Sequence, residues 1–185
     1  MDSTNTIVLD RDGVINYDSD KYIKSADEFI PLPGSLDAIS TLHRVGYKII
    51  VATNQSGLAR GLFDEYALAK IHSKLSSMVE EAGGLITGVL YCPHLPNEGC
   101  KCRKPSTGLL VQAEKEFGVS LKGCQFIGDS LSDLRSALAF GMKPVLVRTG
   151  KGKKTEKTLS MSKLPPIAVF DNLRLAIDDL VATEG

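Results

Sequence analysis

Apolar residues along the chain fall into two alternating patterns. Short runs rich in β-branched and aromatic residues occur at 7–9 (IVL), 47–52 (YKIIVA), 86–91 (ITGVLY), 124–127 (CQFI), 144–147 (PVLV) and 167–170 (IAVF). Between most of them, apolar residues recur at helical spacing. Leu36, Ile39, Leu42 and Val45 share one helical face, ended by Gly46. Leu68, Ile71, Leu75, Met78, Val79 and Ala82 form a longer face, opened by Asp64 as N-cap and closed by Gly83-Gly84. Leu109, Leu110, Ala113 and Phe117 predict a helix after Thr107. Leu131, Leu134 and Leu138 predict another, and Leu173, Ala176, Ile177 and Leu180 a last one. Strand–helix alternation of this kind predicts an α/β fold, Rossmann-like, with a mainly parallel sheet and helices on both faces. The Lys-rich segment 148–158 (RTGKGKKTEKT) lacks the Walker A spacing and reads as a solvated, mobile loop.

The ends of the strand runs carry the chemistry, because ligands in open α/β sheets bind beyond the carboxyl ends of the strands. The first run ends in Asp10-Arg11-Asp12-Gly13 and the second in Thr53-Asn54-Gln55-Ser56-Gly57. The third leads through Cys92 and His94 to Arg103-Lys104-Pro105. The fourth is followed by Gly128-Asp129-Ser130 and, soon after, Asp133. Each piece alone could be a turn or a cap. At one edge of a parallel sheet they form a set of carboxylates, a hydroxyl and a lysine. Asp10, Asp12 and Asp129 offer hard oxygen ligands suited to Mg²⁺. Thr53 and Lys104 can donate to phosphoryl oxygens where charge develops. One carboxylate can attack phosphorus, and a second, two residues on, can move the proton of the leaving group. His43 and His72 fall within helical patterns and read as surface or packing residues.

Cys92, His94, Cys100 and Cys102, in CPHLPNEGCKC, make a C-x-H-x₅-C-x-C pattern. Three thiolates and an imidazole match a closed, structural Zn²⁺ site with no open position. The loop ends one residue before Arg103-Lys104, so zinc would position those cations. Cys124 stands apart and reads as a core residue.

The motifs DRDGV, TNQSG, RKP and GDSLSD, in this order, resemble the four motifs of the haloacid dehalogenase (HAD) superfamily of phosphatases. The resemblance implies Asp10 as nucleophile and Asp12 as general acid/base, with Thr53 and Lys104 stabilising the transferring group. It implies a Mg²⁺ site made by the Asp10 carboxylate, the Asp12 backbone carbonyl and Asp129. The gaps after the first two strands leave no room for a cap domain, so the expected form is capless: one domain over 1–185 with a zinc loop at 92–105. TNQSGLARGLF and the zinc loop followed by CRKP are similar to the D-glycero-D-manno-heptose-1,7-bisphosphate 7-phosphatase family, which serves lipopolysaccharide synthesis. That resemblance implies substrate contacts from residues 53–56 (Thr53, Asn54, Gln55, Ser56), from Arg103 and Lys104, and from the loop residues Asp18, Ser19, Asp20 and Lys21. Arg60 suits either the second phosphate or a surface salt bridge. The zinc loop also resembles that of histidinol-phosphate phosphatase. That family is the alternative reading, although SGLARG offers a cation for a bisphosphate and no evident carboxylate for an aminoalcohol. A non-catalytic phosphosugar-binding module would be favoured by loss of Asp10 or Asp12, and both are present.

Composition adjusts this picture little. The 185 residues are 43% hydrophobic and carry 22 basic and 22 acidic side chains, a net charge of zero. This gives no support for a nucleic-acid or membrane-surface partner. The polar, acidic start MDSTNT lacks the form of a signal peptide, and no apolar run could span a bilayer. The expected setting is cytoplasmic, where clustered cysteines are metal ligands more often than disulfides. No strong exposed apolar stripe is visible, so a monomer is expected.

Overall fold

The computed structural model describes residues 5–184, so most of the polar N-terminal stretch lies outside the described residues. All six apolar runs form strands: β1 (Thr6–Leu9), β2 (Lys48–Asn54), β3 (Gly88–Cys92), β4 (Gln125–Gly128), β5 (Lys143–Val147) and β6 (Ala168–Phe170). They pair in parallel in the order β3-β2-β1-β4-β5-β6. β1 lies at the centre, with Leu9 opposite Val51 on one side and Ile127 on the other. Ile7, Val8 and Leu9 have no exposed surface, which suits a strand covered on both faces.

Alternation along the strands divides the core. Ile7, Leu9, Ile49 and Val51 face α1 (Ser35–Arg44), α2 (Glu65–Glu81) and α6 (Leu173–Glu184). Val8, Ile50, Ala52 and Phe126 face α3 (Gly108–Phe117) and α4 (Leu131–Phe140). Each fully buried Leu, Ile or Phe in these layers contributes about 1.5–3 kcal/mol through removal from water. The caps match the chemistry of the residues that provide them. Asp64 Oδ1 accepts from the Ala67 N–H at 2.8 Å and starts α2. Ser130 and Asp133 form a reciprocal capping box that starts α4.

Three expectations are corrected. The Lys-rich segment is not a loop throughout: Gly152–Leu159 is a helix, α5. Of its turns only Gly152 and Thr155 are buried, so no apolar stripe announced it. Glu156 fixes it by accepting two 2.7 Å bonds from the Arg148 guanidinium on the end of β5. Val45 follows the last residue of α1 and is exposed rather than part of its buried face. Cys124 precedes β4 and is half-buried against the core rather than within it.

Residues 10–34 contain one 3₁₀ turn (Ala26–Glu28), and residues 55–64 join β2 to α2 without regular structure. Neither connection carries a cap, so the carboxyl edge of the sheet is left open. β1 and β4 are neighbours there, yet their chains leave toward opposite sides of the sheet. This is the reversal of strand order at which α/β folds place their ligands.

Candidate active site

A cavity of about 410 Å³ opens at that reversal. Asp10 lies just past β1, Thr53 near the end of β2 and Asp129 just past β4; all three are buried. Lys104 reaches the same point from the loop after β3. It is 3% exposed, and its Nζ bonds Asp10 Oδ1 at 2.9 Å, Asp133 Oδ1 at 2.7 Å and the Ala52 carbonyl at 2.8 Å. Asn54 holds the backbone of this lysine from both sides. Its Oδ1 accepts the Lys104 N–H at 3.1 Å, and its Nδ2 donates to the Lys104 carbonyl at 3.2 Å.

Carboxylates of Asp10, Asp129 and Asp133 offer oxygens within 4.8 Å of one another. One ammonium does not balance three such groups. Burial, then repulsion from Asp133, pushes Asp10 up to about 7 despite Lys104. Burial, then Asp10 and Asp133, pushes Asp129 up to about 8. Burial alone would lower Lys104, but Asp10 and Asp133 hold it well above its usual value. A pocket of hard oxygens short of positive charge fits a divalent cation such as Mg²⁺. Asp12 behaves differently. Burial would raise it, but Arg11 and the hydrogen bonds from Asn16 and Gln55 hold it below the usual carboxylate range. Its carboxylate is paired with Arg11 at 2.9 Å and lines the cavity.

Gly13 and Gly150 let two loops meet behind this cluster. Both have positive φ (84° and 55°), and a Cβ on either would overlap Asp129 Oδ2. Thr149 Oγ1 donates to the Gly13 carbonyl at 2.6 Å, the Lys151 N–H to Asp129 Oδ2 at 2.7 Å and Thr155 Oγ1 to the Asp129 carbonyl at 2.7 Å. The segment read as a mobile loop thus supports Asp129 directly.

The four zinc candidates converge as well. Cys102 Sγ lies 3.2 Å from His94 Nδ1, 3.2 Å from Cys92 Sγ and 3.6 Å from Cys100 Sγ. Cys92 Sγ lies 3.5 Å from His94 Nδ1 and 3.6 Å from Cys100 Sγ. Tetrahedral ligands about 2.0–2.3 Å from Zn²⁺ stand roughly 3.5 Å apart. Burial and the neighbouring thiols push Cys92 up to about 12. Burial would also raise Cys100, but the Arg103 N–H and the other thiols lower it to about 7. The set fits a cation that neutralises it.

Comparison with known proteins supplies the family. A HAD-hydrolase-like family model matches residues 101–176. A D-glycero-β-D-manno-heptose-1,7-bisphosphate 7-phosphatase of Pseudomonas putida is 47% identical over 95% of this chain and 98% of its own length. Its counterpart in Pseudomonas aeruginosa is 48% identical, over 90% and 97%. The chain belongs to the heptose-1,7-bisphosphate 7-phosphatase family. Its fold agrees with a crystal structure of the D,D-heptose 1,7-bisphosphate phosphatase of Bordetella bronchiseptica complexed with magnesium and phosphate. That match has a TM-score of 0.90 at 44% identity and covers 96% of this chain and 98% of the other.

Within this heptose-bisphosphatase family scaffold, most of the expected site residues share the cavity. Asp18, Ser19 and Asp20, Thr53 to Ser56, and Arg103 with Lys104 all line it. Arg103 Nη1 donates to the His94 carbonyl at 3.2 Å, tying the cation to the zinc loop. Lys21 and Arg60 do not line the cavity and are exposed; the Arg60 N–H bonds the Ser56 carbonyl at 3.1 Å. Asp133, named after the fourth strand but not among the expected ligands, joins the carboxylate cluster and also caps α4. Three further participants were given no role from the sequence. Lys151 lines the cavity and pairs with Asp18 at 3.0 Å, but its segment looked like solvated charge. Arg11 is fully buried against Asp12, and His72, read as packing, contacts it.

Proposed function

We propose that the chain is a Mg²⁺-dependent phosphatase that removes the 7-phosphate of D-glycero-D-manno-heptose 1,7-bisphosphate through an aspartyl-phosphate. The β anomer, named in the relatives, is the proposed substrate. The observation that carries this reading is the joint placement of Asp10, Thr53, Lys104 and Asp129 around one cavity in a chain of this family.

Asp10 is the nucleophile. Lys104 holds one of its oxygens in place, while Thr53 offers a hydroxyl to a phosphoryl oxygen. Asp12 protonates the departing sugar oxygen and then takes a proton from the water that releases phosphate. Asp10, Asp129 and the Asp12 carbonyl would hold Mg²⁺, which supplies positive charge to the transferring phosphoryl oxygens. Arg103 suits the second phosphate because a guanidinium meets phosphate oxygens in a fork. Lys151 lines the same cavity, where substrate can compete with Asp18 for it. Cys92, His94, Cys100 and Cys102 would hold zinc in a structural role, steadying the loop that carries Arg103 and Lys104. We read residues 1–185 as one domain, working as a monomer in the cytoplasm without a nucleic-acid partner.

A substrate panel tests this. With Mg²⁺, kcat/KM should be highest for the heptose 1,7-bisphosphate anomers and far lower for fructose 1,6-bisphosphate and histidinol phosphate. Preference for histidinol phosphate would support the alternative family, and no turnover of any ester would support a binding module.

A further inference from the structure

Asp12 is more fully bound than an acid–base residue can remain. Its Oδ1 accepts from Arg11 Nε at 3.1 Å, Arg11 Nη2 at 2.9 Å and Asn16 Nδ2 at 2.9 Å. Its Oδ2 accepts from Arg11 Nη2 at 3.0 Å and Gln55 Nε2 at 2.8 Å. A carboxylate offers about four lone-pair positions, and these donors occupy them. Moving a proton to or from substrate requires one position back.

The partners differ in how firmly they are held. Arg11 has no exposed surface, and its Nη1 lies 3.0 Å from His72 Nε2. An arginine only donates, so this nitrogen accepts and the imidazole stands behind the guanidinium as a neutral stop. His72 is itself half-buried on α2, with its ring 6.0 Å from that of Tyr91 on β3. Asn16 is fully buried and its amide also donates to the Tyr17 carbonyl at 2.9 Å. Gln55 lines the cavity, and the same Nε2 that holds Asp12 also donates to Thr53 Oγ1 at 2.9 Å. One amide therefore ties Asp12 to Thr53, whose own O–H stays free to donate to a phosphoryl oxygen.

We propose that Asp12 transfers protons through Oδ2, exchanging Gln55 for the leaving oxygen of the substrate. Arg11, backed by His72, stays bound and keeps the carboxylate turned to the cavity. Arg11 and His72 are then positioning residues for the acid–base step, a proposal that rests on the phosphatase reading above. In the first half-reaction an Asp10 oxygen bonds to phosphorus as the bond from phosphorus to the sugar oxygen breaks. The electron pair stays on the sugar oxygen, which takes from Asp12 Oδ2 the proton left there by the hydrolytic water of the preceding turnover, Gln55 having moved off that oxygen. In the second, a water oxygen bonds to phosphorus and gives its proton to Asp12 Oδ2. The Asp10–phosphorus bond breaks, its pair returns to the carboxylate, and inorganic phosphate leaves.

Leaving-group dependence tests the assignment, because a sugar oxygen needs the proton and 4-nitrophenolate departs without it. In Arg11→Lys, a point charge cannot bridge both carboxylate oxygens. Its kcat/KM for the heptose bisphosphate should fall on the order of 10²-fold, with a loss of about threefold or less for 4-nitrophenyl phosphate. His72→Leu, which removes the acceptor, should produce the same selectivity at about tenfold, and His72→Gln, which offers a carbonyl oxygen, should restore it. Equal losses on the two esters, or no loss on the heptose ester, overturn the proposal. Should Arg11→Lys fail to fold, the two His72 variants decide by the same ratio. A wild-type protein that hydrolyses neither ester would instead refute the phosphatase reading.

Discussion

Asp10 and Asp129 sit at about 7 and about 8 in the metal-free protein, against 3.8 for an unperturbed carboxyl, with burial the first cause for both. A carboxyl raised in the folded state binds its proton there at pH values where the unfolded chain has lost it. Stability from these two groups is therefore greatest below about pH 4 and declines as pH rises through about 7 to 8. A cation bound among the ionised carboxylates works in the opposite direction. Thermal unfolding of zinc-loaded, Mg²⁺-free protein should accordingly show a lower Tm at about pH 8 than at about pH 5.5, and Mg²⁺ should raise Tm more at the higher pH. Asp129→Asn should flatten the pH slope and weaken the Mg²⁺ effect. A Mg²⁺-induced shift of the same size at both pH values would contradict the charge imbalance described for the cluster.

At the scale of elements, two loops rather than the strands decide the geometry. The turn before α5 touches Asp129 through the Lys151 N–H and leaves no space for a side chain at Gly150. Gly150→Ala should thus move Asp129, and the Mg²⁺ concentration for half-maximal activity should rise about tenfold or more, equivalent to roughly 1.4 kcal/mol of metal binding. An unchanged Mg²⁺ requirement in a titration of activity would show that the turn is not a support. The zinc loop is tested by Cys100→Ser. Zinc content should fall from about one ion per chain, and activity with it, while the far-ultraviolet circular dichroism of the sheet and helices is kept. Full activity in zinc-free Cys100→Ser would separate zinc from the placement of Arg103 and Lys104. These two loops also mark where the sequence was and was not readable. Ile7 to Leu9, or the face of α2, announce themselves by apolar periodicity, and the thiols of 92–102 by their spacing. α5 has no apolar stripe because it is held by Thr155 and the Arg148–Glu156 pair, so periodicity missed it. Asp133 was placed beside the site but not among its ligands, because a capping residue and a carboxylate in an ion cluster look alike in a sequence. Arg11 was legible as a charge in an odd place, but only the fold brings His72, 61 residues away, against it.

The whole molecule carries no net charge, yet its cavity is not neutral. Asp10, Asp12, Asp18, Asp20 and Asp129 line it against Arg103, Lys104 and Lys151. A bisphosphate entering without a cation would meet an excess of negative charge, so substrate binding and metal binding are coupled. The strand order explains how one small sheet achieves this. The reversal between β1 and β4 brings Asp10 and Asp129 side by side, and β2 and the loop after β3 deliver Thr53 and Lys104 from one flank. In the proposed reaction the sugar presents its 7-phosphate to Asp10 and leaves the other phosphate toward the cavity mouth. Phosphorus NMR of heptose 1,7-bisphosphate turned over with Mg²⁺ tests this most directly. The account predicts that the 7-phosphate resonance is replaced by inorganic phosphate while the 1-phosphate resonance persists, and that Asp10→Asn, folded by its far-ultraviolet circular dichroism, produces no inorganic phosphate. Release of the 1-phosphate, or inorganic phosphate formed by Asp10→Asn at a rate near that of the wild type, would contradict it.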